Sequence, residues 1–463
     1  MSNSSAVRLR LVSALAASAV VAASLVASAA PGAGPLRFAA TVVAGAGGEP
    51  NVAVSPDGKT VLIDGLNGGH GEPAALSRSV DGGRTFRALH PTFSNTGGGD
   101  FDMRFLDNHT LIAVDLSLSD GIYVHRSTDR GSTWTTTVIH TDVYDRPWVE
   151  HAGADRVYVV TKGFDGVPYL YTSGDGGRTF GSTPTPVYGT GVVPAEAGGT
   201  SPNPVEAFVT NQNAYVDHVV TDPRTGGLYV LYGIDSAQTY GPANPTGVPS
   251  RLYVAHLQEN GQFVSHPVYL GGAGDGFVDG FNWMTVDRSG TLYVLGNGLH
   301  AGHESAWLSF SKDAGVTWSP LVDVGRPGAT NIYGSIAGAG RGVLSLVTLR
   351  GSNANPSLPQ PWYAEMSRIT AADTANPHVE RVRALNKPVH TSDVCFSGIL
   401  CGVPGFGSNR QLLDYIWNAV GPDGRAHAVV ASDGPASGSS GSRVDVVYLR
   451  QVGGPVNGPG APS

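Results

Sequence analysis

Hydrophobic and polar side chains alternate in short runs along most of the chain, and turn-forming residues separate the runs. Ile122–Arg126 and Tyr169–Thr172 are two such runs, each followed within a few residues by Asp and Gly. Alternation with a period of two is typical of β-strands with one buried face, and Gly or Asp at the boundary predicts a tight turn. The pattern therefore predicts many short strands joined by tight turns.

One strand–turn–strand unit recurs along the sequence. Its copies share a run rich in Val, Leu and Tyr on each side of an Asp- or Gly-containing turn; they are 54–63, 106–112, 221–230 and 286–294, with weaker copies around Asp155, Gly340 and 422–425. These make seven units of about four strands each, which predicts an all-β, seven-bladed β-propeller. The segment 36–44 is expected to supply the missing fourth strand of the last blade and so remove an exposed sheet edge.

A second motif, S-x-D-x-G-x-T-[F/W], occurs four times, at 79–86, 127–134, 173–180 and 311–318. Its carboxylates should accept hydrogen bonds from backbone N–H groups of their own turn, while the Gly adopts a positive φ and the aromatic residue covers the turn. We therefore assign a structural role to Asp81, Asp129, Asp175 and Asp313. The motif serines are 48, 46 and 138 residues apart, so six or eight blades remain alternatives. We prefer seven because that count follows complete units, with inserts at 181–214 and 233–250 absorbing the extra length.

Composition narrows the functional classes. The 463 residues include 64 Gly and 31 Pro, which agrees with a turn-rich β protein. Charged residues are only 14% and the net charge is −8, with no run of Lys or Arg. A nucleic-acid partner is therefore not expected.

The chain ends suggest export. Residues 1–29 combine Arg8 and Arg10 with an apolar run and a small-x-small site, which predicts a secretory signal peptide; a single membrane anchor is the alternative. Residues 30–452 form the propeller in this interpretation, and 453–463 a disordered Gly/Pro-rich tail. We expect the cleaved protein to be a secreted monomer without a membrane span. In an oxidising extracellular environment, Cys395 and Cys401 should form a local disulfide.

The four repeated turns resemble the Asp-box, or BNR, motifs of the sialidase-like propeller superfamily. The resemblance covers nearly all of the mature chain as repeats, and 145–149 and 409–415 also look like segments of secreted bacterial members. It implies a glycan-binding protein or a glycoside hydrolase. For an enzyme, the resemblance implies a carboxylate clamp of three arginines, a tyrosine nucleophile and an aspartic acid/base. We choose candidates for these roles from their expected position at the loop-rich end; they are Arg146, Arg350 and Arg410, then Tyr333 or Tyr415, then Asp102 or Asp145. The Phe-Arg-Ile-Pro motif of the family's enzymes does not occur.

Longer connections should gather at the end of the propeller opposite the turns, near the axis. Carboxylates, amides and aromatic rings there would suit a sugar; the residues are Trp148, Tyr215, Asp217, Asn282, Trp283 and Asp414. In the structural alternative, these aspartates cap strand entrances and the tryptophans fill gaps between blades. An acidic axial ring could also bind Ca²⁺, and no other cofactor is expected. The leading hypothesis is binding of a glycan or another extracellular polymer, with a glycoside hydrolase or a protein-binding scaffold as alternatives.

Overall fold

The structure is a computed structural model that describes most of the chain. The described ranges are 34–43, 47–66, 75–90, 100–117, 121–140, 144–163, 167–187, 214–234, 251–271, 275–277, 281–356, 358–395, 401, 408–438 and 443–460. The side chains of residues 144–146 are not among the described groups, and the predicted signal peptide lies outside the described residues. No helix in the described ranges is long and apolar enough to cross a membrane.

Seven antiparallel sheets follow one another along the chain, which confirms the prediction of a seven-bladed β-propeller. From the axis outward, blades one to three are β2 (Val52–Val54), β3 (Val61–Ile63), β4 (Ser77–Ser79) and β5 (Arg87–Ala88); β6 (Phe101–Phe105), β7 (Leu111–Ser117), β8 (Gly121–Ser127) and β9 (Thr135–His140); and β10 (Tyr144–Ala152), β11 (Arg156–Gly163), β12 (Pro168–Ser173) and β13 (Thr185–Pro186).

Blades four to six continue this order. They are β14 (Ala214–Thr221), β15 (Leu228–Ile234), β16 (Arg251–Leu257) and β17 (Phe263–Leu270); β18 (Gly276–Phe277), β19 (Trp283–Val286), β20 (Leu292–His300), β21 (His303–Ser311) and β22 (Val322–Asp323); and β23 (Thr330–Gly338), β24 (Leu344–Gly351), β25 (Tyr363–Thr370) and β26 (His378–Arg383). In blade five, β18 and β19 both pair with β20.

The seventh blade is closed by the beginning of the chain. It contains β27 (Trp417–Val420), β28 (Ala426–Ser432) and β29 (Asp445–Gly453), and its outermost strand is β1 (Arg37–Val43). The pairing of β1 with β29 is antiparallel, with Thr41 opposite Tyr448. This confirms that the first strand completes the last blade, and it removes the edge that β29 would otherwise expose.

The second strand of a blade is buried on both faces. Every residue of β3, β7, β15 and β28 is buried, because neighbouring blades cover both sides of each sheet. Strands in such positions must be apolar on both faces. This stacking accounts for the low proportion of charged residues in the sequence.

The repeated motif forms the same turn in all four places. Asp81 accepts hydrogen bonds from the Arg84 and Thr85 N–H groups at 3.0 Å each, and the Thr85 hydroxyl donates to its other oxygen at 2.8 Å. The Gly83 N–H donates to Ser79 Oγ at 2.8 Å, and Gly83 has a φ of 79°. The corresponding backbone and hydroxyl bonds recur at Asp129, Asp175 and Asp313. Each of these four aspartates thus accepts hydrogen bonds from within its own turn.

These turns and the turns between first and second strands lie at the same end of the propeller, which we call the turn end. The Gly82 N–H donates to the Lys59 carbonyl, and the Gly176 N–H donates to the Asp155 carbonyl, joining the two kinds of turn within one blade. The opposite end, where each inner strand begins, is called the loop end.

The Gly/Pro-rich end of the chain packs against the turn end, so the expectation of disorder does not hold for residues 453–460. The Asn457 N–H donates to the Gly424 carbonyl at 2.8 Å, and the Asn457 carbonyl accepts from the Gly340 N–H at 3.2 Å. Arg288 Nε donates to the Gly460 carbonyl at 2.7 Å. Turns of three blades thus supply backbone partners that the composition of the segment could not reveal.

Candidate functional site

Aromatic side chains from several inner strands meet on the propeller axis. We call Trp148, His218, Trp283, Tyr415 and Trp417 the axial aromatic cluster. The His218 and Trp283 rings lie 4.3 Å apart, Trp283 and Trp417 4.7 Å apart, and Trp148 and Trp417 5.7 Å apart, measured between centroids. All five residues are less than a tenth exposed. Inner strands converge at the axis, so aromatic residues at their beginnings fill the space between blades.

At the loop end of this cluster lies a small pocket of about 250 Å³, including space open to solvent. It is lined by carboxylates from blades one and two and by rings of the cluster; the lining residues are Glu49, Asp100, Phe101, Asp102, Pro147, Trp148, Tyr415 and Trp417. The Tyr415 hydroxyl lies 3.5 Å from Asp100 Oδ1. We call this the loop-end pocket; it combines acceptors for hydroxyl groups with aromatic surfaces.

Asp102, a predicted acid, is engaged by partners from three blades. Its Oδ1 accepts from Asn51 Nδ2 at 2.6 Å and from Arg104 Nη1 at 2.5 Å, and its Oδ2 accepts from the Val149 N–H at 2.9 Å. Burial raises the pKa of Asp102 more than Arg104 lowers it. These bonds give Asp102 a clear part in joining blades one, two and three.

Arg410 and Asp414 form an ion pair beside the loop-end pocket. Arg410 Nη2 lies 2.5 Å from Asp414 Oδ2, and the Asp414 N–H donates to Glu49 Oε1 at 3.2 Å. Burial lowers the pKa of Arg410, but Asp414 and Glu49 outweigh burial, so the pKa is raised overall. Arg410 therefore remains a cation next to the carboxylates of blade one.

Tyr333 lies between blade six and the loop that carries Arg410. Its hydroxyl donates to the Leu413 carbonyl at 2.7 Å, and its ring lies 5.6 Å from that of Phe281. Its φ of 53° is a left-handed conformation for a residue with a side chain, at an irregularity in the pairing of β23 with β24. The structure thus brings Tyr333, Tyr415, Arg410 and Asp414 to one side of the loop end.

The other predicted residues lie elsewhere or are not described. Arg350 pairs with Glu365 on β25, while Arg410 pairs with Asp414, so these two arginines belong to separate ion-pair groups. Asp145 and Arg146 lie in β10, and their side chains fall outside the described groups. A convergence of all three arginines therefore stays a prediction.

The predicted ligand-binding residues of blades four and five are buried and bonded to each other or to neighbours. Asp217 Oδ1 accepts from the Asn282 N–H at 3.1 Å and from Asn282 Nδ2 at 3.0 Å. Lys162 Nζ lies 3.2 Å from the centroid of the Tyr215 ring. These contacts join adjacent blades near the axis.

A second cavity lies on the axis between the axial aromatic cluster and the turn end. It encloses about 770 Å³, including space open to solvent, and all seven innermost strands contribute to its wall. Its charged side chains are Arg104 and Glu150, joined by a 2.7 Å bond from Arg104 Nε to Glu150 Oε1. Burial, with the nearby Arg104, holds the pKa of His218 well below its usual value. His218 is therefore a neutral part of the cavity wall at neutral pH.

Sequence reasoning missed Trp417 and Arg104. Trp417, like Trp283, is the first residue of an inner strand, so an alignment of the repeated units would have found it. Arg104 sits in the run Phe-Asp-Met-Arg-Phe, where the alternation of two charged residues with apolar ones was the only signal.

Cys395 and Cys401 form a disulfide, as predicted. Among the described residues, no group of three or more His, Cys, Asp or Glu side chains is arranged to hold a metal ion.

No family model matches the chain, and no curated protein matches its sequence. Among solved structures, a protein of unknown function from Dyadobacter fermentans is similar over 90% of this chain and 99% of its own, with a TM-score of 0.50 and 13% identity. YCF48 bound to D1 peptide is similar over 91% and 99%, with a TM-score of 0.47 and 12% identity. The GH74 xyloglucanase from Xanthomonas campestris is similar over 72% of this chain and 47% of its own, with a TM-score of 0.46 and 19% identity. At such identities the first similarity shows the β-propeller fold alone.

Proposed function

We propose that the protein binds a carbohydrate at the loop end of the propeller axis, as an exported protein of the Asp-box, sialidase-like type. The observation that carries the proposal is the loop-end pocket, which is lined both by the carboxylates of Glu49 and Asp100 and by the rings of Trp148 and Tyr415. Carboxylates accept hydrogen bonds from sugar hydroxyls, and aromatic faces cover the apolar side of a sugar ring.

The space between the lining residues is small. It amounts to about 250 Å³ when the space open to solvent is included. We therefore expect only the terminal residue of a glycan to contact the pocket, with the rest of the polymer lying across the loop end. The disulfide between Cys395 and Cys401 supports an oxidising, extracellular location.

A glycan array followed by calorimetric titration tests the proposal. Asp100→Asn should weaken binding of a selected glycan about tenfold, because it replaces a charged acceptor with a neutral one. Asp155→Asn, an exposed position at the turn end, is the matched control and should bind like the unaltered protein. Equal affinity of the two variants, or no glycan bound by the unaltered protein, would contradict the proposal.

A glycoside hydrolase is the second candidate, and the observation that favours it is the Tyr415 hydroxyl next to Asp100. A carboxylate beside a tyrosine hydroxyl can accept its proton and so activate it as a nucleophile. Fluorogenic glycosides, including a sialoside, test for turnover. Activity that Tyr415→Phe abolishes while glycan binding persists would establish the enzyme; binding without turnover would leave the binding function alone.

A further inference from the structure

Four arginines gather at the loop end of blade six, away from the axial aromatic cluster. We call Arg326, Arg350, Arg381 and Arg383 the blade-six arginine cluster. Arg350 on β24 lies opposite Tyr363 on β25, and Glu365 on β25 lies opposite Arg383 on β26. Directly opposite residues in neighbouring strands project from the same face of a sheet, so the pairing collects these side chains on one face of the blade.

Positive charge exceeds negative charge in this cluster. Glu365, only 1% exposed, accepts from Arg326 Nε at 2.6 Å and lies 2.5 Å from Arg326 Nη2. A further carboxylate, Asp323, acts on Arg381 and is bonded to His303 and to Ser305. Four guanidinium groups against these two carboxylates leave a local excess of positive charge on a protein whose net charge is −8.

Arg350 has unused hydrogen-bonding capacity within this cluster. Its Nε lies 3.8 Å from Glu365 Oε2, which is too long for a hydrogen bond, and this buried Nε has no hydrogen-bond partner among the described residues. Burial lowers the pKa of Arg350, and Arg326 and Arg383 lower it further against the effect of Glu365. The arginines therefore repel one another, and an anion placed among them would relieve this repulsion.

Packing holds the guanidinium groups in place. The Arg383 guanidinium carbon lies 4.0 Å from the centroid of the Tyr363 ring, and that of Arg350 lies 5.7 Å from it. Arg381 Nη2 donates to the Gly325 carbonyl at 2.7 Å and to the Val324 carbonyl at 3.1 Å. The Arg350 side chain is 21% exposed, so solvent and solutes reach it.

We propose that the blade-six arginine cluster binds an oxyanion, the sulfate or carboxylate group of an acidic polysaccharide, with Arg350 and Arg383 as its main donors. Arginine presents several N–H groups in a planar fork that matches the oxygens of such a group. The choice of a polysaccharide rests on the proposed carbohydrate-binding function, whereas the oxyanion site itself does not depend on the axial pocket.

Titration with sulfated dextran, polygalacturonate, neutral dextran and inorganic sulfate tests this proposal on the full-length protein. We expect binding of at least one acidic polymer and none of neutral dextran. Arg350→Ala and Arg383→Ala should each weaken binding about tenfold, since each removes charge-assisted hydrogen bonds. Arg341→Ala removes the same charge from a side chain that is 76% exposed at the turn end, and it should leave the affinity unchanged. The sulfated and carboxylated polymers distinguish the two sources of the oxyanion.

Arg350→Lys keeps the charge but not the fork. Weaker binding by this variant, with an unchanged unfolding curve, supports direct contact of Arg350 with the anion; full affinity overturns that assignment. Unchanged binding by both alanine variants, or no acidic polymer bound, overturns the oxyanion site. Such a result would leave the axial proposal standing, because that proposal depends on the response of the selected glycan to Asp100→Asn.

Discussion

Asp129 at the turn end and Asp102 near the axis are both well bonded, but their partners differ. Asp129 accepts from the N–H and the hydroxyl of Thr133, at 2.8 and 2.7 Å. Asp102 accepts from Asn51 of blade one and from Val149 of blade three. Slight burial raises the pKa of Asp129, but the bonds from Thr133 lower it overall, whereas burial of Asp102 leaves its pKa raised. The turn carboxylate is held by local contacts, and the axial carboxylate by contacts between blades.

Replacing the axial cation Arg104 should lower the free energy of unfolding more than any other substitution considered below. Arg104→Ala leaves Asp102 and Glu150 buried without their counter-ion, so the free energy of unfolding should fall by about 3–5 kcal/mol. Urea unfolding followed by tryptophan fluorescence measures the change. Arg341→Ala, at an exposed site, should change it by no more than about 0.5 kcal/mol. Similar losses in the two variants would remove the contrast between axis and surface.

Adding a methyl group to a turn glycine that contacts the next blade should lower the free energy of unfolding by an intermediate amount. Gly177 has a φ of 82°, and an added Cβ would lie 2.4 Å from Ile112 Cδ1. Gly177→Ala should therefore cost about 2 kcal/mol in urea unfolding. Gly153 also has a positive φ, 71°, but no atom lies within 4 Å of an added Cβ. Gly153→Ala should lower the free energy of unfolding by about 1 kcal/mol. Equal losses in the two variants would show that the contact with Ile112 does not contribute to the loss.

Removing the carboxylate of a repeated turn should lower the free energy of unfolding by a smaller amount. Asp129→Ala loses the bonds from Ser127 and Thr133 at a site open to water, so we expect a loss of about 1 kcal/mol in thermal or urea unfolding. Asp155→Ala, on an exposed turn, is the control and should lie within about 0.5 kcal/mol of the unaltered protein. A loss as large as that of Arg104→Ala would contradict the local nature of the turn.

The pH dependence of stability should have opposite signs in the two regions. Hydrogen bonds from Thr317 lower the pKa of Asp313 to about 2 from 3.8, so its stabilising contribution is present above about pH 4 and is lost as the pH falls towards 2. Burial raises the pKa of Asp64 well above 3.8, so the folded protein binds a proton that the unfolded chain releases. Relative to Asp64→Asn, the unaltered protein should therefore lose stability as the pH rises above about 4.

Urea midpoints at pH 3–7 for Asp313→Asn, Asp64→Asn and the unaltered protein measure these slopes. Solvent screening should keep the Asp313 effect to a few tenths of a kcal/mol. If the difference in stability from the unaltered protein changed with pH in the same direction for both variants, burial would not be the main influence on the pKa of Asp64.

The fold could be predicted further than the site. The seven strand–turn–strand units and the repeated turns are contiguous in sequence, and even β1 could be assigned by counting which blade lacked a strand. Asp102 illustrates the limit, since nothing in Asp100–Asp102 distinguishes an aspartate that contacts Tyr415 from one that bonds Asn51 and Val149. The packing of 453–460 was missed for the same reason, because its partners come from turns of other blades.

The sequence by itself determined the turns, because each Asp of the repeated motif finds its donors within four residues along the chain. It also favoured seven blades, since the strand–turn–strand units follow one another along the chain. Only the tertiary structure decided which tryptophans close the axis, and that Arg350 joins Arg326 and Arg383 rather than Arg410. Those outcomes depend on the register and stacking of separate sheets, which bring together side chains that lie far apart in sequence.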